Sequence, residues 1–340
     1  MEYLLGKTWG ELKTLVNELN MPGFTAKQIS NWLYNKKISS IDEMSDISLI
    51  HRKRLKENYE TGRRIPSQKQ ESIDGTIKYL FSASNDHFIE SVYIPDKERA
   101  TLCVSSQIGC KMNCLFCMTG KQGFSGQLTS GDMLNQIISV PESDILTNLV
   151  FMGMGEPLDN MDELFKTIEI LTSDYGFAWS PKRITVSTIG IIPGLKRFLK
   201  ESKVHLAISL NSPYSTERLS LMPVEKAYPI IEILNLIKQY DFTRQRRLSF
   251  EYIMFGGLND DLKHAVALVK LLRDIPCRVN LIRYHSIPDV RLPASDTKAM
   301  IEFQEYLNSK GIICTLRSSR GEDILAACGM LSGAFQIEQG

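Results

Sequence analysis

The stretch Ala100-Thr-Leu-Cys-Val-Ser-Ser-Gln-Ile-Gly-Cys110-Lys-Met-Asn-Cys114-Leu-Phe-Cys117 joins a β-rich run to a group of three cysteines. The run 100–106 is rich in apolar and β-branched residues, which predicts a strand and places the thiols on the loop after it. The loop at the carboxyl end of a parallel strand is where α/β folds hold their chemistry. Three thiols at spacings of four and three residues make this loop a candidate metal site.

Six more β-rich runs follow this stretch and give the rest of the chain a strand–helix alternation. The runs are 148–152, 183–188, 204–210, 248–255, 279–284 and 312–317. Helical patterns fall between most of them, at 162–172, 193–200, 229–240, 261–274 and 296–310. Such alternation indicates parallel βαβ units. About six units suit an open or partial α/β barrel as well as a doubly wound sheet, and the pattern alone does not choose between them.

The segment before this alternation divides into two parts. Residues 1–60 show helical periodicity after Thr8, which predicts a small helical unit. The runs 77–83 and 87–94 flank a short polar turn, which predicts a β-hairpin. We therefore expect three units: an N-terminal helical domain over 1–60, a hairpin and linker over 61–95, and an α/β unit over 96–340.

Composition is that of an ordinary globular protein and excludes several function classes. Hydrophobic residues make up 43% and charged residues 23%, and the net charge of +1 does not by itself indicate a nucleic-acid partner. The N-terminal sequence MEYLLGKTWGEL lacks the apolar core and cleavage site of a signal peptide, and the apolar run 147–154 is too short to span a bilayer. An odd count of seven cysteines favours metal or redox chemistry over a disulfide scaffold. We expect a cytoplasmic protein with no membrane partner.

Iron–sulfur and zinc chemistry are the alternatives for Cys110, Cys114 and Cys117. Three thiolates can hold three irons of a [4Fe–4S] cube and leave the fourth iron open to a substrate-like molecule. Structural zinc usually completes its tetrahedron with a fourth Cys or His from a second paired motif. The remaining cysteines are scattered, which favours iron, and simple burial of all three thiols is the weakest interpretation.

The Cys-x3-Cys-x2-Cys pattern resembles the cluster motif of the radical-SAM enzymes, where SAM is S-adenosylmethionine. The resemblance implies a partial (βα)6-type barrel and a [4Fe–4S] cluster whose open iron chelates SAM, which reduction cleaves to a 5′-deoxyadenosyl radical. The segment Phe151-Met-Gly-Met-Gly155-Glu156 resembles the superfamily's glycine–glutamate segment, which meets the SAM amino group. Glycines permit close backbone approach and a carboxylate complements an ammonium. Without the cysteines, this segment would be an ordinary turn after a strand.

Longer stretches resemble one family over nearly the whole chain. They are residues 99–110, 119–124, 155–158, 186–190 and 320–329. Together they resemble the bacterial dual-specificity ribosomal-RNA and transfer-RNA methyltransferases that build 2-methyladenosine. A sister family, the chloramphenicol–florfenicol resistance methyltransferases, acts mainly at C8 of the same ribosomal adenine. Residues 121–124 and 156–158 are closer to the C2 family, residues 212–215 and 281–284 lean towards the C8 family, and we favour C2.

The resemblance implies a two-cysteine mechanism. Cys328 matches the cysteine that takes a methyl group from one SAM, and a second SAM converts that group into a methylene radical that adds to adenine C2. Cys103 matches the cysteine that attacks the resulting RNA–protein thioether, releases the methylated base and leaves a transient disulfide. Glu90 matches the proposed acceptor of the adenine proton. Cys277 and Cys314 match no functional position and are expected to lie in the core.

Five more residues match SAM contacts of the family beside Gly155 and Glu156: Ser187, Ser209, Leu210, Asn211 and His285. Asn211 stands where a histidine is common and His285 where an asparagine is usual, but both retain hydrogen-bonding side chains. The alternative for Ser187 and Ser209 is a hydroxyl that caps a strand end.

Substrates and partners follow from the same resemblance. It implies 23S ribosomal RNA and transfer RNA as substrates, an adenine drawn out of its stack, and an electron donor such as flavodoxin or ferredoxin, with no role for DNA. Candidate phosphate contacts are the basic residues Arg52, Lys53, Arg54, Lys56, Arg63, Arg64, Lys121, Arg244, Arg246 and Arg247. Each basic cluster is more often a solvated face. The alternative from another class is a zinc-stabilised RNA-binding protein without turnover.

Overall fold

One ten-stranded sheet organises the chain in this computed structural model, which describes residues 1–84, 86–242 and 246–333. The strands are β1 Glu2–Tyr3, β2 Tyr59–Glu60, β3 Gln68–Glu71, β4 Ile77–Ser82, β5 Phe88–Asp96, β6 Arg99–Cys103, β7 Gln107–Gly109, β8 Phe124–Gln127, β9 Asn148–Phe151, β10 Ile184–Thr188, β11 His205–Ser209, β12 Leu248–Met254, β13 Arg278–Arg283 and β14 Ile313–Arg317. The α-helices are α1 Trp9–Glu18, α2 Thr25–Ser30, α3 Leu49–Asn58, α4 Met118–Lys121, α5 Ser130–Ile138, α6 Met161–Thr172, α7 Ile192–Glu201, α8 Ser215–Leu221, α9 Ile230–Ile237, α10 Leu262–Leu272 and α11 Thr297–Ser309.

The order of the strands decides between the two architectures that the sequence left open. The large sheet runs β14-β13-β12-β11-β10-β9-β6-β5-β4-β3, and neighbours from β6 to β14 are parallel. Within the described ranges, at least one helix lies between each consecutive pair of these parallel strands along the chain. A doubly wound sheet reverses its strand order at a switch point, whereas this sheet advances in one direction. The strand order is therefore that of a partial βα barrel, as predicted.

The parallel strands and their helices agree closely with the sequence patterns. The first predicted strand is shorter than expected, because Ser105 turns its backbone N–H to the Gln136 side chain at 2.9 Å instead of continuing the ladder. Helix α5 was not predicted, although Thr129 and Asp132 form a capping box that marks its start.

The N-terminal segment is mostly helical, as expected, with one difference. Thr8 caps α1 in a capping box with Glu11, and this helix buries its apolar face. The two ends of the predicted helical unit are not helical, because they form the short parallel strands β1 and β2, in which Tyr3 pairs with Glu60. Two-residue strands leave no periodicity for a sequence pattern to reveal.

The predicted hairpin is present as β4 and β5, but it belongs to a wider antiparallel extension. Strand β3 pairs with β4, and β5 pairs with β6, so the extension continues the barrel sheet. Strand β3 reads Gln-Lys-Gln-Glu and is largely exposed at the sheet edge, so no apolar alternation announces it. Asn85, in the hairpin turn, lies outside the described residues. Among the residues that the structure describes, no helix has both the length and the apolar character needed to cross a membrane.

Candidate functional site

A cavity of about 460 Å³ lies at the carboxyl ends of the parallel strands. This volume is in the range of small-molecule sites, and the position is the one that α/β barrels use for chemistry. The cavity brings together eight of the predicted site residues, which are Cys103, Gly155, Glu156, Ser187, Ser209, Asn211, His285 and Cys328. Glu90, Leu210 and the three clustered cysteines are not among its lining residues.

The cysteine loop is held between β7 and α4 by close backbone contacts. The Cys110 N–H donates to Gly123 O at 2.8 Å, and the Leu115 N–H donates to Leu221 O at 2.9 Å. Gly109 has φ +72°, and a Cβ there would lie 1.9 Å from the Gly123 oxygen. Only glycine fits this position, because both the backbone angle and the space exclude a side chain.

The three thiols of this loop act on one another electrostatically. Burial raises the pKa of Cys110 to about 12 and that of Cys114 well above its usual range, and the charges of Cys117 and Glu156 add to both rises. A bound metal reverses this situation, because a coordinated thiol is held as the thiolate. The donor set is therefore three sulfurs whose charges need a cationic partner, with Glu156 close by.

Binding of a single metal ion would require several ligand side chains to point at one position. Across 1–84, 86–242 and 246–333, no three His, Cys, Asp or Glu side chains are arranged to hold one metal ion. A cubane cluster attaches each thiolate to a different iron, so it does not require that arrangement. The loop fits such a cluster through its sulfur donors and their mutual charge.

The glycine–glutamate segment packs tightly against the strand that leads to the cysteine loop. Gly155 has φ +100°, and a Cβ there would lie 2.5 Å from the Gln107 side chain. Glu156 is buried, and its carboxylate accepts hydrogen bonds from the Thr188 hydroxyl at 2.5 Å, the Ile189 N–H at 3.0 Å and the Leu158 N–H at 3.1 Å. Burial nevertheless raises its pKa to about 7. An ammonium group at this position would stabilise the ionised carboxylate.

The side chain of Asn211, which was predicted to contact SAM, makes polar contacts within the protein. Its φ is +58°, a left-handed conformation that asparagine adopts more readily than most residues. Its side-chain oxygen accepts the Ile253 N–H at 2.9 Å, and its amide nitrogen lies 3.2 Å from Met222 Sδ. The Asn211 side chain is thus already used to fix the loop after β11, and Leu210 beside it is fully buried.

Arg218 is a residue that sequence reasoning missed. It is fully buried, pairs with Glu225, and donates to Ile189 O at 2.9 Å and to Ser209 O and Leu210 O at 3.2 Å. It therefore ties together the carboxyl ends of β10 and β11, where several of the predicted SAM contacts lie. The sequence carries no clear signal for this role, because Arg218 follows Glu217 in a short helix and resembles a surface residue.

The C-terminal segment closes one side of the cavity. His285, after β13, places Nδ1 3.2 Å from Glu322 Oε1 in this segment. Cys328 lines the cavity wall and is open to solvent there, although the protein around its thiol desolvates it in part.

Cys103 and Cys328 form a pair of thiols inside this cavity. Burial raises the pKa of Cys103 to about 12, and the charge of Cys328 adds to that rise. Burial also raises the pKa of Cys328, while the Arg317 guanidinium opposes the rise and the Cys117 thiol adds to it. Arg317 acts on both thiols and was not predicted from the sequence. Cys314 is buried against the helix side of its strand and Cys277 is half-buried, as expected for core residues.

Glu90 lies beneath the C-terminal segment and not in the cavity wall. Its carboxylate accepts the Ser332 N–H at 2.7 Å and the Gly333 N–H at 3.1 Å, and Lys78 Nζ lies 3.2 Å from its other oxygen. The side chain is completely buried. In this arrangement the carboxylate is covered by the segment that carries Cys328.

Several basic residues suggested as RNA contacts make internal contacts instead. Arg63 donates to the carbonyls of Lys37 and Ile138, and Arg64 pairs with Asp132. Arg246 donates to three carbonyls of the Phe198–Val204 region, and burial lowers its pKa to about 10. Arg244 lies outside the described residues. These contacts give Arg63, Arg64 and Arg246 structural roles.

Comparisons with known proteins agree with this geometry. The model of the Radical SAM superfamily matches residues 104–269, and the model of the ribosomal RNA large subunit methyltransferase N-terminal domain matches residues 3–61. A probable dual-specificity RNA methyltransferase RlmN from Parabacteroides distasonis is 64% identical over 98% of this chain and 97% of that relative. A relative with the same description from Bacteroides thetaiotaomicron is 60% identical, again over 98% of this chain and 97% of the relative.

A solved structure supports the fold over nearly all of the chain. The crystal structure of a radical SAM methyltransferase from Sphaerobacter thermophilus superposes with a TM-score of 0.93 at 35% identity. The match covers 98% of this chain and 100% of the other.

Proposed function

Because this chain belongs to the RlmN family of dual-specificity RNA methyltransferases, we propose that it builds 2-methyladenosine in 23S ribosomal RNA and in transfer RNA. The targets would be an adenine of the peptidyl-transferase centre and the adenine next to the anticodon. The chain is a radical SAM RNA methyltransferase, and its superfamily implies a [4Fe–4S] cluster and SAM. The observation that carries the proposal is the meeting of Cys103, Cys328 and Glu156 in one cavity.

Cofactor binding is assigned to residues of that cavity together with the cysteine loop. Cys110, Cys114 and Cys117 would hold the cluster, and Glu156 would bind the SAM ammonium. The remaining SAM contacts would come from Gly155, Ser187, Ser209, Leu210, Asn211 and His285, with Asn211 and Leu210 acting mainly through the loop they shape. When bound, the cluster and SAM supply one-electron chemistry, which can reach the electron-poor C2 position of adenine.

The two thiols in the cavity divide the work of methyl transfer. Cys328 would accept a methyl group from one SAM and later carry its carbon to adenine C2, while a second SAM is consumed in activating that carbon. Cys103 would then attack the Cys328 sulfur and free the methylated base. Their shared cavity and electrostatic coupling support this division, since thiol exchange needs two sulfurs within reach.

Glu90 would accept the proton from adenine, on one structural condition. In this structure the Ser332 and Gly333 backbone N–H groups donate hydrogen bonds to its carboxylate. The substrate base must therefore displace the C-terminal segment locally before Glu90 can serve as a base. Bound RNA would supply that displacement.

RNA binding is assigned to the N-terminal unit of the chain. Residues 1–60 would engage RNA, 61–95 would form the hairpin and linker, and 96–340 would form the barrel with its methyl-carrier segment. Lys53 in α3, with Arg52, Arg54 and Lys56 around it, is the surface on which phosphates would lie. We further propose a cytoplasmic enzyme reduced by a flavodoxin or ferredoxin.

Nucleoside analysis tests this function directly. RNA from cells with and without the gene is digested and examined by mass spectrometry against standards of 2-methyladenosine and 8-methyladenosine. The proposal predicts loss of 2-methyladenosine from both RNA classes, with recovery by the wild-type gene and none by Cys328→Ala. Loss of 8-methyladenosine instead would assign the chain to C8 chemistry, and unchanged nucleosides would refute the proposal.

A further inference from the structure

Transfer of a methyl group to the Cys328 thiol releases the thiol proton, which another group must accept. The thiolate is the nucleophilic form of cysteine, and an ordinary cysteine, with a pKa of about 8.5, is mostly the thiol at neutral pH. A nearby base would lower the barrier by taking the proton as the sulfur reacts. This inference rests on the proposed role of Cys328 as the methyl carrier.

Most acid–base groups among the described residues of the cavity wall are already engaged. Asp96 lies 3.5 Å from Arg320 at the mouth, and His285 faces Glu322. Glu156 accepts three hydrogen bonds and faces the cysteine loop. These groups are poor candidates for taking a proton from Cys328.

Glu251 differs from these residues because one of its oxygens is free. Its Oε1 accepts the Ser249 hydroxyl at 2.9 Å and the Asn280 amide at 2.8 Å. Its Oε2 is buried and has no hydrogen-bond partner among the residues that the structure describes. The residue is 5% exposed and lines the cavity. A buried carboxylate oxygen without a donor is costly, so this oxygen is the one on Glu251 that is available to a donor in the cavity.

The anchoring of Glu251 is part of a row across three strands. Glu251, Asn280 and Thr315 are register neighbours on β12, β13 and β14, and the Thr315 hydroxyl donates to the Asn280 oxygen at 2.7 Å. Such a row fixes the orientation of the carboxylate. The free oxygen is therefore held in a set position in the cavity.

The charges around Cys328 agree with a role for Glu251. Glu251, Arg317 and Cys328 line the same cavity, and the charges of Glu251 and Arg317 both act on the Cys328 thiol. Ionised Glu251 opposes ionisation of Cys328, whereas Arg317 favours it. Transfer of the proton to Glu251 removes the opposing charge and leaves Arg317 to stabilise the developing thiolate.

We propose that Glu251 accepts the thiol proton of Cys328 as that sulfur takes the methyl group of SAM. The S–H bond of Cys328 breaks and its electron pair forms the bond to the methyl carbon. The bond between that carbon and the SAM sulfonium breaks, S-adenosylhomocysteine leaves, and the proton resides on Glu251 Oε2. No electron is gained or lost in this step.

The test follows methyl loading of Cys328 without RNA. Cluster-loaded protein is mixed with SAM, quenched, and the tryptic peptide that begins at Gly321 is weighed to detect one added methyl group. Glu251→Gln keeps an oxygen for Ser249 and Asn280 but removes the base, so loading should slow by about 100-fold. Loading by this variant should quicken as pH rises, because Cys328 then ionises without help. Asp96→Asn, which removes a paired carboxylate from the cavity mouth, should load at the wild-type rate.

Two further measurements separate the possible outcomes. Glu251→Asp retains a carboxylate and should load faster than Glu251→Gln; equal rates for the two would indicate a purely structural role and overturn the proposal. SAM affinity should be unchanged in Glu251→Gln, since a base acts after binding. If the wild-type protein and Glu251→Gln gain the methyl group equally fast, the role of Glu251 is refuted and the proposed function is not. If wild-type Cys328 gains no methyl group, the proposed function on which this inference rests is refuted.

Discussion

Glu90 Oε2 accepts a hydrogen bond from the Ser332 backbone N–H at 2.7 Å, so a buried carboxylate of the hairpin binds the segment that carries Cys328. The two residues are 242 positions apart in the chain. The opposite oxygen of the same carboxylate lies 3.2 Å from the buried Lys78 ammonium. The position of the segment that carries Cys328 thus depends on an ion pair within the antiparallel extension.

Glu90→Gln should destabilise the protein by more than the loss of one hydrogen bond. Removing one partner of a buried ion pair leaves the other charge poorly compensated, at a cost of about 3 kcal/mol. Urea unfolding followed by circular dichroism measures this change. The double variant Glu90→Gln with Lys78→Met should recover most of the lost stability. A double variant as unstable as the single one would show that the pair is not the source of the effect.

Arg218→Gln should weaken SAM binding without contacting SAM. Arg218 donates to the carbonyls that end β10 and β11, so its loss should loosen both loops and lower SAM affinity by roughly 10-fold or more. Isothermal titration of the cluster-loaded protein gives the affinity. Arg197→Gln, which removes exposed ion pairs on α7, is the matched control. Equal affinities for both variants would contradict the positioning role.

The pKa of Glu156 predicts how pH changes SAM binding. Burial raises this pKa from its ordinary value of 4.5 to about 7, so in the absence of SAM the stability contributed by the protonated form is lost as pH rises through about 7. SAM reverses this trend, because its ammonium binds the ionised carboxylate. SAM affinity should therefore fall as pH drops below 7, and the rise in melting temperature on adding SAM should be larger at alkaline pH. Glu156→Gln should remove the pH dependence, and its persistence in that variant would exclude Glu156 as the ammonium ligand.

Cys103→Ala should trap the enzyme on its substrate. If Cys103 frees the methylated base from Cys328, its loss leaves the thioether intact and the RNA covalently attached. A denaturing gel with labelled RNA should show a slow band that nuclease treatment removes, at up to one RNA per chain. Cys277→Ala, which changes a thiol outside the cavity, should give free product and no such band. A Cys103→Ala variant that turns over normally would remove this residue from the mechanism.

Local patterns predicted the features that depend on neighbouring residues. The parallel strands alternate with amphipathic helices, and the cysteine loop and glycine–glutamate segment are continuous stretches, so each can be identified without knowing the fold. The cavity then forms because parallel strands share one carboxyl edge. Its position followed from the order of these motifs.

Long-range contacts were beyond the sequence patterns. The residues next to Glu90 in the sequence do not indicate that the Ser332 and Gly333 amides cover it. Likewise, the residues next to Asn211 do not indicate that its side chain accepts a hydrogen bond from the Ile253 N–H. Arg218 looks like a surface residue of a short helix until the loops around it close. Likewise the exposed polar strand β3 shows no alternation, because water faces most of it.

The metal content of the cysteine loop tests the central claim most directly. Protein purified without oxygen is assayed for iron, acid-labile sulfide and zinc, beside a triple variant in which Cys110, Cys114 and Cys117 are alanine. The account predicts about four irons and four sulfides per wild-type chain, and neither in the variant. One zinc per wild-type chain, bound by four protein ligands and without sulfide, would contradict it.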